Sequence, residues 1–67
     1  MDCFLEVTEK FEKIKVCVPL KNIKSVSSEK DGTCFIETGT DSEGNPTGIY
    51  CDELYSQIVI KLLKFIL

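Results

Sequence analysis

Histidine and arginine are both missing from this chain of 67 residues, and each absence removes a class of function. Without histidine, the commonest base for activating a serine or cysteine nucleophile is unavailable. The same gap leaves Cys3, Cys17, Cys34 and Cys51 without an imidazole to complete a zinc shell. No two of these cysteines form the tight C-x-x-C knuckle that pre-arranges half a tetrahedron, so no metal site is expected. Without arginine, and with a net charge of −3, the chain lacks the clustered cations that neutralise a phosphate backbone, and general nucleic-acid binding is disfavoured. Neither G-x-G-x-x-G nor G-x-x-x-x-G-K-[ST] occurs. Asp41, Glu43 and Asn45 share a polar loop, but their spacing does not supply the alternating oxygen ligands and closing glutamate of an EF-hand. The expectation is a protein with no cofactor, no metal and no enzymatic activity.

A basic, apolar leader is also lacking, since Met1-Asp2 opens the chain and Glu6 and Glu9 interrupt its first apolar stretch. Reduced thiols and a cytoplasmic location are expected, with each cysteine serving as a small hydrophobe in a strand. Cys51 could be activated by the start of a following helix, but packing at the end of a strand is the preferred role.

What the sequence does contain is alternation. Cys3, Leu5 and Val7 fall on one face of a first strand running to Glu9, with Phe4, Glu6 and Thr8 on the other. After a charged turn at Lys10 to Glu12, Ile14, Val16, Val18 and Leu20 point inward and Lys13, Lys15 and Cys17 outward, a register that a one-residue slip would invert. Pro19 cannot donate to a ladder, so the second strand ends there or lies on an edge. Leu20 to Asn22 makes a corner, and Ile23 to Glu29 a weaker third strand with a bulge or short helical turn near Asn22. Gly32 closes a turn before a fourth strand, Thr33 to Thr38. Gly39 to Gly48 reads as the longest loop, and Ile49 to Cys51 as a short final strand. Asp52 is placed as N-cap of a C-terminal helix, with Glu53 in its first turn and Lys61 and Lys64 toward its end. The fold class is α+β: one domain, a four- to five-stranded antiparallel β-meander with one C-terminal α-helix.

The helix carries more apolar surface than one sheet can cover. Leu54, Tyr55, Ile58, Val59, Ile60, Leu62, Leu63, Phe65, Ile66 and Leu67 wrap well over half of it, leaving Glu53, Gln57, Lys61 and Lys64 as the polar stripe. So short a chain also needs help to be stable. Self-association to a homodimer or higher oligomer through Tyr55, Val59, Ile60, Leu63, Ile66 and Leu67 is the preferred reading. A groove for a different protein is the second. Membrane contact is disfavoured, because about sixteen residues span only about 24 Å against a hydrocarbon core of about 30 Å.

One weaker constellation remains. The glycine-rich loop could offer backbone N–H groups to an anion. With Lys21, Lys24, Asn45, Thr47, Tyr50 and Tyr55 it makes a candidate site for a small nucleotide.

Phe4-Leu5-Glu6-Val7-Thr8, Asn22-Ile23-Lys24-Ser25-Val26, Asp31-Gly32-Thr33 and an early helical aromatic at Tyr55 together resemble the pattern of the FlbD-like small proteins, which include flagellar FlbD proteins and short phage and bacterial relatives. The resemblance spans most of the chain and implies a fold and a small-protein habit, with no catalytic signature. The function expected is a non-catalytic interaction module, homo-oligomeric and phage-borne, that binds and blocks or regulates a host partner. The alternative is a sponge-like protein that sequesters a small cyclic nucleotide at an oligomer interface.

Overall fold

A computed structural model of the chain describes residues 4–66. Five strands and one helix follow in order: β1 (Phe4–Thr8), β2 (Lys15–Pro19), a 3-10 turn (Leu20–Asn22), β3 (Ser25–Ser28), β4 (Thr33–Thr40), β5 (Pro46–Leu54) and α1 (Tyr55–Ile66). The strands form two antiparallel sheets, β1-β2 and the meander β3-β4-β5. The α+β class is therefore the observed one.

Alternation sets the first sheet as the sequence implies. Leu5 faces Val18 and Val7 faces Val16; Leu5, Val7 and Val18 are buried while Lys15 and Cys17 are exposed. Pro19 is the last residue of β2, which is an edge strand, so its missing N–H deprives no ladder. The 3-10 turn at Leu20–Asn22 is the irregularity expected there, and Gly32 takes φ +88° in the turn before β4.

A narrow joint holds the two sheets together. Glu9 and Cys51 form an isolated antiparallel bridge, Lys10 N donates to the Tyr50 carbonyl at 2.8 Å, and Thr8 N donates to both carboxylate oxygens of Glu53 at 2.9 and 3.0 Å. A side chain thus accepts where a strand carbonyl ordinarily would. The buried set Leu5, Val7, Val18, Cys34, Ile36, Cys51 and Ile58 is drawn from β1, β2, β4, β5 and α1, so the two sheets and the helix share one core.

Three sequence expectations change. Half of Gly39 to Gly48 is strand: β4 runs on to Thr40 and β5 begins at Pro46, leaving a five-residue turn in which the Asp41 carboxylate accepts from the N–H groups of Glu43 and Asn45, each at 2.9 Å. This arm is solvated on both faces, so it carries no apolar alternation to betray it. Asp52 and Glu53 belong to β5, not to the helix start. The helix opens instead with Gln57 Oε1 accepting from Leu54 N at 2.9 Å, the back half of a capping box, and with Tyr55 N donating to the Gly32 carbonyl at 2.9 Å. Ile14, read as inward, lies before β2 and is exposed, because Lys13 takes φ +60° and turns the chain outward. Cys3 lies outside the described residues.

Candidate functional site

α1 is only shallowly seated. Ile58 is its single fully buried side chain among the described residues, and Leu62 packs partly against the core. At about 100° per residue, Tyr55, Val59, Leu63 and Ile60 occupy an arc of about 140° beside Ile58. Ile60 is 57% exposed and Leu63 45%. The exposed Ser56 also falls in this arc, but no charged residue does, and Lys61 is almost diametrically opposite its middle. Four of the expected interface residues therefore form one open apolar flank. Leu67 and the side chain of Ile66 lie outside the described part.

The nucleotide set is dispersed. Lys21 is in the 3-10 turn. Lys24 N donates to the Glu37 carbonyl at 2.8 Å, which places it against β4. Thr47 pairs with Gly39 near the tip of the β4–β5 arm. Asn45 and Tyr55 lie just beyond opposite ends of the nine-residue strand β5, separated by about 30 Å of strand. Those residues do not converge on one ligand-sized space.

Sequence reading missed an aromatic row on the face of the sheet turned away from α1. Tyr50 and Phe35 alternate with the buried Cys51, Cys34 and Ile36, and their rings lie 4.7 Å apart. Phe11 meets Tyr50 edge-on at 5.8 Å while remaining 72% exposed. The loop that presents Phe11 is firmly held. The Glu9 carboxylate accepts from Phe11 N at 3.0 Å and from Glu12 N at 2.6 Å, and Lys13, in the left-handed region, is tied to Asp52 at 2.7 Å. Aromatic residues at three separate places in the sequence carry no spacing that would announce this row.

A shallow open cleft of about 440 Å³ is lined by Lys10, Ser28, Glu29, Lys30 and Asp31. The Lys10 ammonium, followed by the hydroxyl and N–H of Thr33, holds the Asp31 carboxyl far below the usual range, and the same contact raises Lys10. Glu9 is lowered by the N–H groups of Glu12 and Phe11, and Asp41 chiefly by that of Asn45. A carboxyl whose folded pKa lies below its unfolded value binds fewer protons folded than unfolded, so its stabilisation is present above the unfolded pKa and fades as pH falls toward the folded one. Stability is expected to fall steadily as pH drops below about 4, with Asp31→Asn flattening the lowest part of that acid limb in urea titrations.

Cys34 and Cys51 face each other across β4 and β5 and are fully buried. Burial pushes both thiols up, Cys51 to about 12, the reverse of what a nucleophile requires. Cys51 also sits within β5, three residues short of its end, away from the helix start. Cys17 is exposed. Iodoacetamide on the native protein is expected to alkylate Cys17 and spare Cys34 and Cys51 until urea is added, as peptide mass spectrometry would read. Equal rates at Cys17 and Cys51 would refute a packing role for Cys51.

Among the described residues no cluster of histidine, cysteine and carboxylate side chains could hold a metal ion, and no helix is long and apolar enough to cross a membrane. Compared with known protein families, characterised proteins and solved structures, the chain matches none.

Proposed function

We propose that this protein is a non-catalytic interaction module that pairs with a second copy of itself through the open flank of α1, and in that form binds and blocks or regulates a partner protein. The observation that carries this reading is the helix that, among the described residues, fully buries Ile58 alone while Ile60 and Leu63 stand open. A two-fold contact sets one patch against its own copy, so the patch must tolerate itself. Tyr55, Val59, Leu63 and Ile60 do so because they bring no charge into the seam. Twelve residues give about 18 Å of helix, enough for two antiparallel copies to match along their length. The contact is small beside the roughly 800 Å² per partner of a standard interface, and micromolar affinity is expected.

The aromatic row Phe11–Tyr50–Phe35 lies on the other face of the sheet and stays free in such a dimer. Exposed aromatic residues framed by polar groups are the usual anchors of protein recognition, and this row is assigned to the partner. Among the described residues Cys17, Cys34 and Cys51 are free thiols, which fits the reducing cytoplasm. The FlbD-like pattern fits a small adaptor of this kind.

Sedimentation equilibrium tests the pairing. The apparent mass is expected to climb from the 7.6 kDa of one chain toward twice that value over tens to hundreds of micromolar, and Leu63→Glu or Ile60→Glu to hold it at the lower value with an unchanged circular-dichroism spectrum. A wild-type chain that stays monomeric throughout overturns the proposal, as does a dimer indifferent to both substitutions.

A further inference from the structure

A second cavity lies between β1 and the end of α1, on the edge of the helix away from the proposed seam. Phe4, Leu5, Glu6, Lys61, Lys64 and Phe65 line its volume of about 260 Å³. Its chemistry is divided. Phe4 and Phe65, each about half exposed, supply apolar surface from two different elements. Lys61 and Lys64, three residues apart on one helix, place two ammonium groups close enough for a single anion to meet both.

These lysines are not equivalent. Lys61 Nζ donates to the Glu6 carbonyl at 3.0 Å, which fixes the ammonium at the cavity and leaves it two further protons to give. Lys64 Nζ has no acceptor within reach among the described residues and is exposed. Among the described residues Glu6 contributes the only carboxylate of the lining, and the two cations outnumber it there. Charge-assisted hydrogen bonds from paired ammonium groups are strong orienting contacts, and an aromatic surface beside them favours a ligand with a flat apolar body.

We infer that this cavity binds a small aromatic anion, with its carboxylate or phosphate held between Lys61 and Lys64 and its ring lying against Phe4 and Phe65. The site is built from residues outside the glycine-rich arm and outside the self-association flank. It therefore stands whether or not the chain dimerises.

Backbone amide NMR of the full chain, titrated with 2-naphthoate, adenosine monophosphate and their uncharged counterparts 2-naphthamide and adenosine, tests the assignment. Shifts confined to Phe4–Glu6 and Lys61–Phe65 are expected for the charged probes, with binding at least tenfold weaker for the uncharged ones. Preference for 2-naphthoate over adenosine monophosphate would identify a carboxylate ligand, and the reverse order a phosphate ligand. Lys64→Gln, which removes a side chain with no other partner among the described residues, is expected to weaken binding by about tenfold. Lys15→Gln, at an exposed lysine of β2 outside both the cavity lining and the helix flank, is expected to leave it unchanged. Equal binding of charged and uncharged probes, insensitivity to Lys64→Gln in a chain whose spectrum shows it folded, or shifts elsewhere in the molecule would overturn the inference.

Discussion

Gly48→Ala is expected to lower folding stability by about 3 kcal/mol or more, among the largest losses any single methyl group could cause in this chain. A Cβ at this position would lie 1.9 Å from the Ile36 carbonyl oxygen and 3.0 Å from Glu37 Cα. Those neighbours are backbone, so no side chain can swing away to make room. The methyl group must instead force β4 and β5 apart beside the register shift between Glu37 and Gly39. Gly44 is the control. It has nothing within 4 Å of a Cβ but takes φ +86°, so alanine there costs only the left-handed penalty of about 1 kcal/mol. Urea midpoints of the two variants separate steric exclusion from conformational strain, since each kcal/mol moves the midpoint by about 1 M in a domain of this size. Similar midpoints for both would show that the strands yield at Gly48.

Ile58→Ala is expected to cost a similar amount, about 3 kcal/mol, by leaving a cavity where the helix meets the sheets. Among the described residues Ile58 is the one α1 side chain fully enclosed by the core, so its loss is expected to loosen the helix. Ile60→Ala removes the same atoms from a side chain that is 57% exposed and is expected to cost under about 1 kcal/mol in the dilute monomer. Thermal melts at low concentration would test this contrast. Equal losses would mean that Ile60 is covered within a single chain, leaving no open flank for a second copy.

Most of the fold was legible because one face of each principal strand is buried. The alternation of Leu5 and Val7 with Glu6, and of Val16 and Val18 with Cys17, admits one register, and the structure adopts it. The β4–β5 arm was illegible for the opposite reason: Thr40 and Pro46 to Gly48 are exposed, and backbone pairing without burial leaves no trace in side-chain pattern. The helix start was misplaced because Asp52 and Glu53 have the composition of a cap. Tertiary demand decided otherwise, using Glu53 to receive Thr8 N from a strand 45 residues away. The open flank of α1 was visible in advance as surplus apolar perimeter. The aromatic row and the Phe4–Phe65 cavity were not, since each joins side chains that only the folded chain brings together.

The narrow joint between β1 and β5 has a kinetic consequence. β3, β4 and β5 follow one another through short turns and need only local closure, whereas seating β1 against β5 closes a loop that contains most of the polypeptide. The meander is therefore expected to assemble first and the amino-terminal hairpin to dock last. Breaking the clasp from Glu53 to Thr8 is expected to slow that docking, and with it completion of the core to which Leu5, Val7 and Val18 belong.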